Sequence, residues 1–453
     1  MSTSSPVIVW FRRDLRLADN PALAGAAATG RPVVPVFILD KDTPGLRPPG
    51  GAARWWLHHS LAALADDLAA LESRLILRRG AAGAVLDALI AETGADTVLW
   101  NRCYDKGSTA RDTEIKADLR AQGFRAESLN ASLLLEPWEI TTKAGGGYKV
   151  YTRFWQACRA AGDPPRPAPA PKALAVPEIW PRSDNLADWG LPPRSPDWAA
   201  GFSDHWTPGA AGATDRLDRF LDGPVMNYAD HRDFPAKPAT SGLSPHLAWG
   251  DIGPRQVWAA AAKAAPAGQG RETFLKELVW REFAHHVLYH FPDLAERPMD
   301  ARFEVFPWAA DDGLLAAWQQ GRTGYPLVDA GMRELWATGT MHNRVRMVAA
   351  SFLVKHLLQP WQAGEAWFWD TLLDADAASN PFNWQWVAGC GADAAPYFRI
   401  FNPTLQGEKF DKGGDYVRRW VPELGTDAYP APIVDHKRAR ERALAAFKSL
   451  NCG

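Results

Sequence analysis

Between residues 7 and 129 the chain alternates between two hydrophobic periods, and after residue 206 it keeps only one. Short apolar runs at Val7 to Phe11, Val33 to Leu39, Leu75 to Arg78, Thr97 to Trp100 and Phe124 to Leu129 read as strands buried on both faces. Between them, Ala52 to Leu71, Ala84 to Thr93 and Thr109 to Gln122 have helical composition and periodicity. Parallel strands need crossover connections, so this alternation predicts a parallel, Rossmann-like α/β domain over residues 1–131. From residue 206 strand patterns almost vanish, and long helical stretches such as Arg271 to Tyr289 and Met341 to Leu358 predict an all-α domain over residues 206–453. The stretch 132–205, with Pro164, Pro165, Pro167, Pro169 and Pro171 crowded together, reads as a long irregular connector. A chain of 453 residues is long enough to bury two such cores.

Several function classes drop out at this point. The first strand is not followed by G-x-G-x-x-G, and Gly145-Gly146-Gly147 leads into Tyr148-Lys149-Val150 rather than the lysine and hydroxyl residue of a phosphate loop. With a formal charge of −2 and a pI of about 6.6, any nucleic-acid surface has to be a local basic patch. Cys103, Cys158, Cys390 and Cys452 form no C-x-x-C pair, which argues against a zinc site or disulfide framework and fits a reducing compartment. No apolar run has the length of a membrane span, and the start lacks the regions of a signal peptide, so the expected location is the cytoplasm. Tryptophan is abundant, 22 against 9 tyrosines; bulky core packing accounts for most, leaving a few to carry electrons or stack on a flat ligand.

In the run Phe274-Leu-Lys-Glu-Leu-Val-Trp-Arg-Glu-Phe283, Glu277, Trp280 and Arg281 share a helical face with Phe274. A carboxyl beside aromatic surface can hold its proton and donate to an uncharged ligand, or it can be a surface glutamate beside Arg281. Asn343, Arg346 and Met347 fall on one face of the next such helix, and Arg346 can pair with Asp374 or Asp376. Those two acids lack a His or Cys cluster, so no metal site is expected. Thr240-Ser-Gly-Leu-Ser244 offers hydroxyls and backbone donors to a pyrophosphate, or is simply a turn. The stretch Tyr397-Phe-Arg-Ile-Phe-Asn-Pro403 to Lys409 interleaves aromatics with Arg399 and Lys409, which suits phosphate contacts beside stacking surfaces or a solvated loop.

These segments, from Val7-Ile-Val-Trp-Phe-Arg-Arg-Asp-Leu-Arg16 to Pro430-Ala-Pro-Ile-Val-Asp-His436, resemble the DNA photolyase and cryptochrome family. The most specific are Trp280-Arg-Glu-Phe283, Gly324-Tyr-Pro-Leu-Val-Asp-Ala330, Met341 to Met347, and Trp384-Gln-Trp386 with Tyr397 to Pro403. The resemblance implies an N-terminal antenna domain and a helical domain holding a U-shaped FAD, active when reduced. It places Tyr228, Thr240, Ser241, Leu243, Ser244, Phe274, Asn343, Arg346, Asp374 and Asp376 at the flavin, with Asn380 facing flavin N5. Asparagine at that last position resembles photolyases rather than plant or animal cryptochromes, which carry aspartate or cysteine.

The (6-4) photolyases of this family carry histidines where this chain has Asn343 and Met347. Glu277, Trp280, Asn343, Met347 and Trp386 instead resemble a pocket for a cyclobutane pyrimidine dimer, with a protonated Glu277 hydrogen-bonding the pyrimidine carbonyls. The implied reaction is repair of the flipped-out dimer by an electron from photoexcited reduced FAD. Arg232, Arg344, Arg399 and Lys409 would neutralise phosphates of the damaged DNA around Trp280, and Trp384, Trp361 and Trp308 match the family's electron route from flavin to surface. The expected state is a monomer with no membrane or obligate protein partner; a cryptochrome-like sensory role is the alternative. A second antenna chromophore of folate or deazaflavin type remains open, because Ser108 replaces a frequent glutamate. Gly242 replaces the arginine of the T-S-R-L-S motif, and the chain is shortened between Leu424 and Asp427. Trp55 and Trp56 either stack on such an antenna or pack against the sheet.

Overall fold

The computed structural model describes residues 4–264, 267–394 and 398–450. Five strands, β1 (Val7–Phe11), β2 (Val33–Leu39), β3 (Ile76–Arg79), β4 (Thr97–Asn101) and β5 (Arg125–Leu129), form an all-parallel sheet in the order β3-β2-β1-β4-β5. Each lies within one residue of its predicted bounds. Alternate side chains of β1 feed opposite faces: Val7, Val9 and Phe11 join one core cluster, Ile8 and Trp10 the other. Helices α1 (Pro21–Ala28), α2 (Gly51–Ala69), α3 (Ala82–Thr93) and α4 (Lys106–Ala121) cover the sheet. The sequence reading lacked α1, whose alanine-rich run has no amphipathic period; its signal is the cap, Asn20 accepting from Leu23 N ahead of Pro21. Trp55 and Trp56 pack in the core on this domain, Trp56 fully buried.

The connector contains a helix that its prolines conceal, α5 (Tyr151–Ala161), ahead of the proline cluster. Tyr151 of α5 stacks on Trp280 with ring centroids 3.6 Å apart and planes 6° apart. Farther along, Ala168 and Ala175 accept hydrogen bonds from Asp19 and Val33, so this segment straps back onto the sheet domain.

Helices follow: α6 (Ala210–Leu221), α7 (Tyr228–His231), α8 (Ser244–Trp249), α9 (Pro254–Ala264), α10 (Gln269–His290), α11 (Asp312–Gln319), α12 (Pro326–Thr338), α13 (Asn343–Ser351), α14 (Trp361–Thr371), α15 (Ser379–Ala388), α16 (Pro403–Phe410), α17 (Asp415–Trp420) and α18 (His436–Ser449). No strand is present beyond β5 among the described residues. The two domains are keyed together tightly. Arg47 makes a two-pronged ion pair with Glu365 of α14 at 2.7 and 2.8 Å and stacks over Trp369. Gly50 needs to be glycine, since a Cβ there would run into the Trp369 carbonyl.

Candidate active site

A cavity of about 490 Å³ opens in the helical domain, walled by residues of α7, α8, α10, α13 and α15 and by the loop ahead of α15. Residues far apart in sequence meet there because the helices turn polar positions inward beside apolar ones, Glu277 and Arg281 on α10, Asn343 and Arg346 on α13, and Ser379 and Asn380 on α15. Arg346 grips Asp374 at 3.1 and 2.9 Å while its Nε donates to the Met341 carbonyl at 2.7 Å. Asp374, not Asp376, is thus its partner. Asp376 accepts from the backbone N–H groups of Ala378 and Ser379 at 2.8 and 2.6 Å, at the N-terminal end of α15, where the helix dipole favours an anion. Burial opposes its charge, but His285, the Ser379 N–H and Arg281 prevail and hold Asp376 below the ordinary carboxylate range. His285 beside it is pushed down to about 4 by burial and by Arg281, against the opposing pull of Asp376.

Asn380 is oriented from behind. Its Nδ2 donates to the Glu365 carbonyl at 3.0 Å and to Glu365 Oε1 at 2.8 Å, the same carboxylate that Arg47 holds. That spends the amide nitrogen and fixes which way the amide oxygen faces. Trp384 lines the cavity; its indole Nε1 is buried without a partner, and Phe368 meets its ring edge-on at 5.0 Å. Gly364 makes room for it, because a Cβ there would overlap the Trp384 ring. Trp384 and Trp361 belong to one buried core, against which half-buried Trp308 packs.

Tyr228, Ser241, Leu243, Ser244, Phe274, Glu277, Trp280, Asn343, Met347 and Trp386 also line the cavity. Thr240 does not; it is exposed, outside the lining, as expected of a residue whose neighbours, not itself, form the inner side of the turn. Glu277, expected to hydrogen-bond the pyrimidine carbonyls, is ion-paired with Arg232. The same pair occupies Arg232, expected on phosphate. Arg344 is likewise engaged, with Asp233 at 2.7 Å, and lies over Phe410, as does Lys409. Arg399 lies 5.2 Å from the Trp386 ring. Tyr397 of the same motif falls outside the described residues, as does Cys452. At Gly242 the space beside the backbone is taken by the Arg216 guanidinium of α6, an arginine supplied from elsewhere in the chain. Sequence reasoning missed Tyr151, Glu365 and Arg47, which act through other side chains and carry no local motif.

The cavity's makeup fits FAD: apolar and aromatic walls for a flat ring, serine hydroxyls, a carboxylate and an arginine for a polar chain, and an unpartnered indole donor. No group of side chains arranged to hold a metal ion occurs among the described residues, and no helix among them is long and apolar enough to cross a membrane. Residues 7–172 match the family model described as DNA photolyase, and residues 274–427 match the FAD binding domain of DNA photolyase. Fold and cavity together define a two-domain flavoprotein whose helical half carries the FAD-binding domain. The chain belongs to the DNA photolyase and cryptochrome family. It is 53% identical to the deoxyribodipyrimidine photo-lyase of Agrobacterium fabrum, over 99% of this chain and 98% of that one. It is 41% identical to Cryptochrome-1 of Arabidopsis thaliana, over 92% of this chain but 63% of that protein. The crystal structure of a class III photolyase from Agrobacterium tumefaciens superposes with a TM-score of 0.96 at 52% identity, covering 100% of this chain and 99% of that one.

Proposed function

We propose that this protein repairs cyclobutane pyrimidine dimers in DNA, driven by light and dependent on FAD. The observation that carries the reading is the convergence of two residue sets on one cavity: Arg346, Asp374, Asp376 and Asn380 for the cofactor, and Glu277, Trp280, Asn343, Met347 and Trp386 for the lesion. The likeness to relatives named photo-lyases supports it, as does asparagine at position 380. When bound and reduced, FAD supplies the light-excited electron that splits the dimer. The chain's own work is to bind, orient and shield. Trp280, backed by Tyr151, offers a rigid stacking face to the extruded pyrimidines, and Met347 and Trp386 add apolar contact. An arriving phosphate competes with Glu277 for Arg232. Once released, Glu277 faces the pyrimidine carbonyls and can take up and share a proton with them. Arg344, Arg399 and Lys409 flank the cavity as the local basic patch that a chain of formal charge −2 needs to hold DNA. In this reading the protein acts as a cytoplasmic monomer.

Trp384, Trp361 and Trp308 would return the flavin to its reduced state by passing electrons inward. Trp308→Phe should therefore slow photoreduction of oxidised flavin by about tenfold while leaving repair by chemically prereduced protein within about twofold, since roughly 1.4 kcal/mol of barrier is a factor of ten. The deciding experiment illuminates prereduced protein with a dimer-containing oligonucleotide and follows the thymine absorbance band. Light-dependent recovery upholds the repair reading. No recovery with reduced FAD bound would put a cryptochrome-like sensory role in its place.

A further inference from the structure

Two cavities of this fold carry aromatic residues in their walls, and the walls are held differently. One, about 390 Å³, lies in the sheet domain and shares no lining residue with the cavity of the helical domain. Its Trp138 and Tyr289 are largely exposed, and its cations Lys116 and Arg120 donate to neutral acceptors, Ser128 Oγ at 3.0 Å and the Ala126 carbonyl at 3.1 Å. In the helical domain, by contrast, the aromatic walls Trp280 and Trp386 are tied to each other through a residue that lies outside the lining, Asp393.

Asp393 sits in the loop after α15 with φ at 57°, in the left-handed region that aspartate, asparagine and glycine enter more readily than other residues. Three separate ties hold it there. Its carbonyl accepts from the Trp386 indole Nε1 at 3.2 Å. Its own N–H donates to the Lys149 carbonyl at 2.9 Å. Its Oδ1 accepts from the Tyr151 N–H at 3.3 Å, the first residue of α5, where Val150 supplies no side-chain cap. A carboxyl group brought from across the fold thus serves the open end of that helix. Tyr151 in turn stacks face to face on Trp280, and its hydroxyl donates to the Lys276 carbonyl at 2.8 Å, which locks it onto α10. Arg399 belongs to the same group: it lies against the Trp386 ring and, with the Tyr151 N–H, opposes the rise that burial imposes on the Asp393 carboxyl. Non-glycine residues in left-handed backbone cluster at ligand clamps, where the surrounding structure holds them in place.

From this geometry we infer that Asp393 is a positioning residue for the lesion: it fixes Trp386 and, through Tyr151, Trp280 at one separation, so that the cavity mouth is shaped for two joined pyrimidines before they arrive. The inference rests on the repair reading of the cavity. Walls set in advance spend no binding energy on being ordered, and the benefit falls on the guest that touches both of them. Contacts to DNA phosphates do not depend on it.

The test measures binding of FAD-loaded, prereduced protein in the dark to a dimer-containing oligonucleotide and to the same oligonucleotide undamaged. Hydrogen exchange at the Tyr151 N–H is the second readout. Asp393→Gly keeps the left-handed backbone and the carbonyl that Trp386 uses, and loses the carboxylate. Dimer binding should weaken about tenfold, the scale of one lost hydrogen bond, and Tyr151 should exchange faster. Binding of undamaged DNA, carried by phosphate contacts, should stay within about twofold. Asp393→Asn accepts from the same N–H, tolerates the same backbone, and should restore both readouts. Val150→Ser added to Asp393→Gly gives α5 a cap of its own without tying it to the loop, and should leave dimer binding weak. The inference is overturned if Asp393→Gly binds the dimer as the wild type does, if both oligonucleotides weaken alike, if asparagine fails to rescue, or if Val150→Ser alone restores dimer binding. Should the glycine variant not retain FAD, Trp386→Phe decides, since it removes only the indole N–H that reaches Asp393: weakening of about threefold upholds the inference and none overturns it. Wild-type protein with no preference for the dimer would overturn the repair reading itself, an outcome distinct from a dimer preference that survives in Asp393→Gly.

Discussion

The two cavities solve opposite problems. In the helical domain charged groups at the cavity have their partners in the chain: Arg346 with Asp374, Arg232 with Glu277, Arg344 with Asp233. In the sheet domain Lys116 and Arg120 crowd each other without a carboxylate of their own. The difference shows where free energy is stored. Groups paired in advance hold a geometry at little cost when the ligand arrives, whereas groups left unpaired give up stability that only a ligand restores.

The hardest blow to that contrast comes from unpairing the first cavity. Asp374→Ala takes the carboxylate from a partly buried Arg346 that keeps only the Met341 carbonyl and the Thr340 hydroxyl, and leaving such a group under-satisfied costs about 1–3 kcal/mol. Thermal unfolding should show such a loss, and the purified protein should retain little FAD by its visible absorbance; full FAD occupancy would refute the role of the pair. Next in size is Glu277→Gln, which keeps the shape but loses the carboxylate. Repair should fall about a hundredfold, the effect of removing one group aimed at developing charge, while FAD content stays normal. Loss of FAD instead would make Glu277 a cofactor residue.

Acid should separate the domains as well. His286, His342 and His356, all in the helical domain, are pushed down to about 4, in each case chiefly by burial. Unfolded, they take up protons near pH 6.5 and, folded, only near 4, so stability is complete above 6.5 and is lost as pH falls through this window. The three histidines together outweigh Glu282, whose buried carboxyl is raised to about 7 and gains stability over the same window, so the urea midpoint should drop from about pH 6.5 to about 4.5; a flat profile would refute a net histidine contribution. The smallest effect is the most telling for the comparison. Lys116→Met in the second cavity should leave the urea midpoint unchanged or raise stability by up to about 0.5 kcal/mol, the scale of relieving one solvent-screened repulsion. A loss of more than about 1 kcal/mol would show that Lys116 is structural after all.

Much of this was legible in the residues. Strand positions could be read because buried parallel strands are continuous apolar runs, and the arginine, acid and indole positions of the first cavity could be read from their motifs. What stayed hidden acts at second hand or across the fold. Arg47 reaches Glu365 over 318 positions of chain, and no local pattern announces such a pair. Tyr151 sits in a segment whose composition says connector, and Arg216 fills a place where the sequence shows only a glycine. Glu277 was found, but its partner was not, since spacing along α10 suggested Arg281 while the fold delivers Arg232 from the loop after α7. Trp138, Tyr289 and Lys116 have no shared motif and meet at one cavity only where sheet domain, connector and α10 come together.

The seam through Arg47 bears on modularity. Because Asn380 is steadied by Glu365, and Glu365 by a residue of the other domain, the helical half is not a self-sufficient cartridge to be cut out and moved. Severed from its first 131 residues, it would keep the Asn380 bonds to Glu365 but lose the guanidinium that holds the Glu365 carboxylate from the other side. Inheritance of this chemistry is thereby tied to inheritance of both domains together, and recombination between relatives should tolerate exchange of surface helices more readily than exchange of the loop that carries Arg47 and Gly50.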